Sequence, residues 1–177
     1  MDLDFRALWN QALPYHQFVQ EAHVNRELWT AMYAIARIPD WALAATRATG
    51  RKHHFLVIAE DWCGDGASTI PYLAKLVDAA QGQELRVLRR DEHPEVMDRY
   101  LTGTARAIPI VIVLDHEFRE LGHWGPRPRA LAEWVQVVRK TMDKAHLFPQ
   151  VRRWYAQDKG VSTLTEVLGL LEPTLVQ

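Results

Sequence analysis

Hydrophobic residues change their spacing twice along the chain, which divides it into three parts. Up to about Gly50 they recur every three to four positions, and this period predicts helices. Asn25 stands where a helix cap is expected, ahead of an apolar stripe formed by Leu28, Met32 and Ile35, with Trp29, Tyr33 and Ala36 beside it. The first fifty residues are therefore interpreted as a helical N-terminal extension.

In the middle part, short and continuous apolar runs alternate with helical patterns. Such runs are typical of buried strands and occur at residues 55–59, 85–88 and 110–114, with a fourth strand at 118–124. A turn around Asp115 predicts that the last two strands form an antiparallel hairpin. Helices are predicted at 67–80, 94–101 and 130–142. The order predicts an α/β fold with two parallel crossovers, a hairpin and a mixed sheet of about four strands, with helices on both faces.

The helical period returns from Lys144. A turn at Gly160 separates two helices, and Pro173 is expected to end the second. These patterns predict one compact unit made of an N-terminal extension (residues 1–50), a core (51–142) and a C-terminal extension (143–177).

Composition and charge exclude several classes of protein. With 177 residues, of which 48% are hydrophobic, the chain can bury a core without disulfides or a structural metal. Its 21 basic and 22 acidic residues nearly cancel, so a positive field for nucleic acid is missing. The acidic start, and the lack of any apolar run near the roughly 18–20 residues that span a bilayer, predict a cytoplasmic protein without a membrane partner. Scattered histidines predict no metal site.

The single cysteine, Cys63, excludes an intramolecular disulfide. A lone cysteine is most often an inert buried residue. Cys63, however, lies between a predicted strand and a predicted helix, where free backbone N–H groups and the helix dipole favour a thiolate. Three nearby carboxylates oppose formation of this thiolate. They belong to Glu60, Asp61 and Asp65, which are expected to form a solvent-exposed acidic rim. Because the dipole contributes only about 0.3–1 kcal/mol, the sequence leaves the direction of the Cys63 pKa shift open.

Five markers in order along the chain resemble the thioredoxin family. Trp-Cys-Gly at residues 62–64 resembles the Trp-Cys-Gly-Pro-Cys active-site loop, and Pro71 resembles the proline of the helix that follows it. Residues 90–94 resemble the family's Asp-x-Asn-Pro segment, and Arg-Ala-Ile-Pro at 106–109 resembles Arg-Gly-Ile-Pro, whose proline is cis. Gly125 resembles the glycine before the last helix. Together with the helical N-terminal extension and Trp-Gly-Pro-Arg-Pro at 124–128, the Trp-Cys-Gly-Asp loop resembles a bacterial branch of the family. The resemblance implies a thioredoxin-like fold with a mixed sheet of four or five strands.

Four departures from the family pattern alter the expected chemistry. Gly66 stands in place of the second, resolving cysteine, and Asp65 replaces the proline between the two cysteines. Val57 replaces a buried aspartate, and Ile110 replaces a threonine. The resemblance therefore implies a monothiol redox protein without a cofactor, in which Cys63 forms a mixed disulfide that an external thiol resolves. The expected partner is a protein disulfide or a low-molecular-weight thiol.

The resemblance also implies a substrate groove around Cys63. Its expected residues are Trp62, Gly64, Asp65, Gly66, Ile108, Pro109, Trp124 and Arg127. For Arg127 two roles are open, holding a substrate carboxylate or stabilising the thiolate. Two further readings of the site stay open. One is a non-catalytic binding or adaptor domain that uses the groove around Trp62 and Pro109, and the other is a redox sensor whose Cys63 joins a second chain or a small thiol.

Overall fold

A mixed sheet of five strands forms the centre of the molecule in the computed structural model, which describes residues 2–171. The strands are β1 (Leu13–Pro14), β2 (His53–Ala59), β3 (Gln83–Arg89), β4 (Ile110–Leu114) and β5 (Glu120–Trp124). They lie side by side in the order β1-β3-β2-β4-β5. The predicted α/β class, with a mixed sheet of four or five strands flanked by helices, is confirmed.

Helices cover both faces of the sheet. They are α1 (Phe5–Gln11), α2 (Tyr15–Gln20), α3 (Arg26–Ile35), α4 (Asp40–Ala48), α5 (Gly64–Ala79), α6 (Pro94–Met97), α7 (Arg129–Val138), α8 (Lys144–Asp158) and α9 (Val161–Leu168). Within residues 2–171, no helix is long and apolar enough to cross a membrane. Pro173, the expected end of the last helix, lies outside the described residues.

The direction of β4 corrects the prediction of two parallel crossovers. β2 pairs with β3 in parallel, but β4 pairs with β2 antiparallel, and only the first crossover is parallel. The connection from β3 to β4 contains α6, which has four residues and is about 6 Å long. This helix is much shorter than the about 23 Å that a strand of seven residues spans, and it does not carry the chain back along β3. Because β4 runs antiparallel to β2, it begins at the end of the sheet at which β3 finishes.

Two apolar cores lie on the two faces of the sheet. All seven residues of β2 are buried, because it is the central strand and is covered on both sides. Phe55, Val57 and Ala59 belong to the core that includes residues of α3, α4, α5 and α9, whereas Leu56 and Ile58 belong to the core that includes residues of α1 and α6. A third, smaller cluster joins α7 to α8. Burial on both faces explains why the strand sequence is apolar without alternation.

The fifth strand comes from the N-terminal extension. β1 has two residues and pairs antiparallel with β3, with Leu13 opposite Val87 and Pro14 opposite Arg86. The sequence predicted no strand in this part, since two residues are too few to show a period. The extension is thus joined to the core by backbone pairing as well as by side-chain packing.

Helix α3 packs on the core through a different face from the predicted stripe. Trp29 and Ala36 are fully buried, while Leu28 and Ile35 are 40% and 61% exposed. Asn25 precedes the helix with φ 57 and makes no side-chain cap; its amide instead donates to the Asp61 carbonyl at 3.4 Å. The helix therefore presents one apolar face to the core and leaves a second one uncovered.

We expect Gly125→Ala to lower the free energy of unfolding by about 2–5 kcal/mol, the sum of backbone strain and overpacking. Gly125 has φ +122, and a β-carbon there would lie 2.2 Å from the Pro109 carbonyl oxygen. Urea unfolding followed by circular dichroism measures the change. The matched control is Gly82→Ala, which has φ +78 but nothing within 4 Å, and should cost only about 1–2 kcal/mol. Equal losses for the two variants would contradict the clash.

Candidate functional site

Cys63 is the residue that caps the N-terminus of α5. Its Sγ accepts a hydrogen bond from the Gly66 N–H at 3.3 Å. The same thiol lies 3.3 Å from the Ile108 carbonyl oxygen, to which it donates its proton. The side chain is only 7% exposed. The thiol is thus held between the first turn of α5 and the loop that enters β4.

Two cis peptide bonds lie in the loops beside this thiol. One joins Ile108 to Pro109, and the other joins Gly125 to Pro126. The two loops are in contact, since a β-carbon on Gly125 would meet the Pro109 carbonyl. The cis bond between Gly125 and Pro126 was not predicted from the sequence.

Burial raises the pKa of the Cys63 thiol to about 11. The Asp65 carboxylate raises the pKa further, whereas the N–H groups of Gly66 and Asp65 and the Arg127 guanidinium lower it. Desolvation therefore outweighs the helix N-terminus, and this resolves the direction that the sequence left open. At pH 7 only about one molecule in ten thousand carries a thiolate.

Asp65, at the start of α5, is bound by Arg127 from the loop after β5 and by Tyr155 from the C-terminal extension. The Arg127 guanidinium donates two hydrogen bonds of 2.9 Å to the two oxygens of Asp65. The Tyr155 hydroxyl of α8 donates to the same carboxylate at 2.6 Å. The pair uses Nε and Nη2 of Arg127, and the residue also lines the cavity beside Cys63. Its positive charge lowers the pKa of Cys63.

The N-terminal extension binds the other side of the same loop. The Asp61 carboxylate accepts the N–H groups of His23 at 2.7 Å and Val24 at 3.1 Å. Burial opposes ionisation of Asp61, but hydrogen bonds from Val24 and His23 outweigh it and lower the pKa of Asp61. Glu60 is also buried and accepts the Asp91 N–H at 2.9 Å. Instead of forming the solvent-exposed rim expected from the sequence, these carboxylates are hydrogen-bonded within the structure.

Trp29 occupies the space next to Gly66, where the family has its second cysteine. Its Nε1 donates to the Asp61 carbonyl at 2.9 Å. A β-carbon on Gly66 would lie 3.1 Å from Cη2 and 3.3 Å from Cζ2 of the indole, closer than ordinary contact. The packing of α3 on the loop therefore favours glycine at position 66.

A cavity of about 950 Å³ lies between the two extensions and is lined in part by Cys63. One wall comes from α3, through Leu28, Met32 and Ile35, and another comes from α8, through Phe148 and Val151. The second apolar face of α3 is thus a wall of the cavity. None of these five residues was among the expected site residues; the signal that could have found them is that α3 is apolar on more than one face.

Most of the expected groove residues line this cavity, and three do not. Those that line it with Cys63 are Trp62, Gly64, Asp65, Ile108 and Arg127. Trp62 is 46% exposed, and the Arg90 guanidinium lies 4.8 Å from its ring centroid. Gly66 is covered by Trp29, and Pro109 is buried. Trp124 belongs to the core, and its Nε1 donates to Glu166 at 2.6 Å.

The paired histidines at the start of β2 are bound inside the fold. His53 is within 3.1 Å of the Gln83 side-chain oxygen, and His54 is within 3.0 Å of the Asp115 carbonyl. Burial lowers the pKa of both. Across the part of the chain that the structure describes, no group of three or more metal-ligating side chains is found.

Comparisons with known proteins agree on one fold family. A family model described as thioredoxin matches residues 12–143. A crystal structure of a protein of unknown function from Pseudomonas aeruginosa has a TM-score of 0.77 at 20% identity, over 96% of this chain and 97% of that one. The crystal structure of an HIV epitope scaffold has a TM-score of 0.72 at 19% identity, over 95% of this chain and 97% of that one. At these identities the two structures show a likeness of fold alone. No curated protein matches the chain.

Asp65→Asn should lower the pKa of Cys63, since it removes the nearby negative charge and leaves the Arg127 charge in place. A fall of about one pH unit gives about ten times more thiolate at pH 8. The rate of alkylation by iodoacetamide, followed from pH 7 to 11, measures it.

Arg127→Met should have the opposite effect and raise the pKa of Cys63, because it removes a positive charge and leaves the Asp65 charge uncompensated. Alkylation at pH 8 should then be slower. Asp40→Asn, on α4, is the control that should change neither rate. A change in the same direction for both test variants would contradict the electrostatic account of the site.

Proposed function

This chain belongs to the thioredoxin family, and from that premise we propose that it is a monothiol thiol–disulfide exchange protein. Cys63 forms a mixed disulfide with its substrate, and an external thiol resolves it. The observation that carries the proposal is the position of Cys63, which caps α5, bonds to the carbonyl that precedes a cis proline, and lines a cavity of about 950 Å³.

The reaction proceeds by two thiolate attacks. In the first, the Cys63 thiolate attacks one sulfur of a disulfide; a bond forms to that sulfur, the substrate S–S bond breaks, and the released thiolate takes up a proton. In the second, the thiolate of an external thiol attacks the mixed disulfide and expels Cys63, which regains its proton. The external thiol ends in the new disulfide, so one disulfide is consumed and one is formed. Gly66 has no thiol to contribute to either step.

The raised pKa of Cys63 makes both steps slow. Attack is slow because few molecules carry a thiolate near neutral pH. Release is slow because a thiol of high pKa is a poor leaving group. A neutral mixed disulfide, by contrast, avoids the cost of burying a charge. These properties support a protein that keeps its adduct for a long time, unlike a dithiol reductase with rapid turnover.

A second candidate function is a non-catalytic binding domain that uses the cavity around Trp62. The burial of Cys63 and its protonated state favour this candidate. The comparisons add no support for it, since the similar structures show the fold alone. The two candidates differ in one property: the first requires that Cys63 react with a disulfide.

We expect hydroxyethyl disulfide to form an adduct on Cys63 at a rate that rises about tenfold per pH unit and levels off only near pH 11, because the thiolate fraction rises in that way. Intact-mass measurement over time records the rate, and Cys63→Ser should give no adduct. In urea the same chain should level off near the ordinary cysteine pKa of about 8.5. The absence of any adduct on the folded protein across this range would support the binding domain instead.

Restoring the second cysteine tests whether only the resolving step is missing. A β-carbon at position 66 would lie 3.6 Å from the Cys63 β-carbon, within the about 3.5–4.5 Å found in disulfides. Trp29 stands in the way, so we expect Gly66→Cys alone to be destabilised, and Gly66→Cys with Trp29→Phe to form an internal disulfide.

Free-thiol titration before and after reduction detects that disulfide, and turnover of hydroxyethyl disulfide with dithiothreitol measures activity. Trp29→Phe alone is the matched control, since it changes the same packing without adding a thiol, and its turnover is the baseline for the double variant. If the double variant forms its disulfide but turns over no faster than Trp29→Phe, the resolving thiol is not what limits the reaction.

A further inference from the structure

We propose that the cavity between α3 and α8 binds a low-molecular-weight thiol or disulfide that carries carboxylates, and that Arg37, Arg152 and Lys159 select it by charge. The reaction of this ligand with Cys63 rests on the proposed function, whereas its binding does not. The predicted core supplies the part of the lining around Cys63, and the two extensions supply the walls formed by α3 and α8.

The size and lining of the cavity fit a small molecule. Its volume of about 950 Å³ is at the upper end of the about 300–1,000 Å³ found for small-molecule sites. Leu28, Ile35 and Phe148 are large apolar side chains that line it and are 40–61% exposed. Exposed apolar side chains grouped in one cavity indicate a binding surface. They would contact the aliphatic part of a ligand.

The charges around the cavity favour an anion. The charged residues that line it are six cations and one carboxylate, Asp65, although the whole chain has a net charge of −1. Three of the cations are already engaged, since Arg127 binds Asp65, Arg106 binds Asp98 and Arg90 binds Asp91. Among residues 2–171, no ion pair with a carboxylate is found for Arg37, Arg152 or Lys159. The Arg37 guanidinium donates through Nη1 to the Ala34 and Ala36 carbonyls, which leave its positive charge uncompensated. Guanidinium and ammonium groups without a carboxylate partner, placed beside an apolar cavity, are suited to the carboxylates of a ligand.

Access to Cys63 favours a small ligand over a protein substrate. The thiol is almost completely buried, and side chains from α3 and α8 line the cavity on which it opens. A disulfide on the surface of a folded protein would have to enter this cavity to reach Sγ. A small molecule fits a cavity of this volume, so we commit to the small ligand.

Three disulfides with the same S–S bond and different charge test the proposal. Glutathione disulfide carries carboxylates, hydroxyethyl disulfide is neutral, and cystamine is cationic. In each reaction the Cys63 thiolate attacks one sulfur, a mixed disulfide forms, and the other half leaves as a thiolate that takes up a proton. We expect adduct formation on Cys63 to be fastest with glutathione disulfide and slowest with cystamine, and the difference to shrink as salt screens the charges.

Variants at Arg37, which follows α3, and at Arg152 of α8 identify the groups that select the charge. Arg37→Ala and Arg152→Ala should each slow the reaction with glutathione disulfide by about twofold to fivefold, as expected for a partly exposed ion pair, and leave hydroxyethyl disulfide unchanged. Arg153→Ala is the matched control, because Arg153 is the next residue of α8, is exposed and does not line the cavity. It should change neither rate.

Titration with S-methylglutathione, which has no free thiol or disulfide, separates binding from reaction. Calorimetric binding that Arg152→Ala weakens, without an adduct from any disulfide, would support the ligand class and overturn the proposed function. Equal adduct rates for the three disulfides, with no binding of S-methylglutathione, would overturn this inference and leave the proposed function standing. Reaction of Cys63 with a disulfide of an unfolded protein, but with none of the three small disulfides, would also overturn this inference.

Discussion

The contact between Trp29 and the loop of Cys63 is the constraint on which the site depends. The indole is fully buried, bonds to the Asp61 carbonyl and packs against Gly66. The Asp61 carboxylate binds the backbone of His23 and Val24 and so holds the same segments together. The absence of a second cysteine and the docking of the N-terminal extension are therefore two aspects of one packing arrangement.

The site combines a thiol of low reactivity with an enclosed cavity. Cys63 lines the cavity, but its side chain also packs in the core that includes residues of α1 and α6, and burial raises the pKa of its thiol to about 11. Arg127, whose positive charge opposes this rise, is bound to Asp65 of α5, and the same carboxylate accepts a hydrogen bond from Tyr155 of α8. Burial, which favours the protonated thiol, and the positive charge of Arg127, which favours the thiolate, act in opposite directions at this site. In the resting protein burial has the larger effect.

Local sequence was sufficient for the four longer strands and for the position of the cysteine, but not for β1. The run at residues 110–114 matches β4 at both ends, because a strand buried on both faces is apolar throughout. Direction was not predictable, since periodicity is the same for parallel and antiparallel strands. Contacts between residues far apart in the sequence could not be predicted either. Trp29 and Asp61 are 32 residues apart, and Trp124 and Glu166 are 42 residues apart. The cavity needs both extensions, so no single segment indicates it.

The two-residue strand β1 has a consequence for how the molecule meets its own copies. An open sheet edge offers free N–H and C=O groups that invite edge-to-edge association. β1 covers the edge of β3, and its second residue, Pro14, is exposed and has no N–H to offer. At the opposite edge, β5 exposes Glu120 and His123. Both edges therefore carry features that discourage edge-to-edge association between copies of the chain.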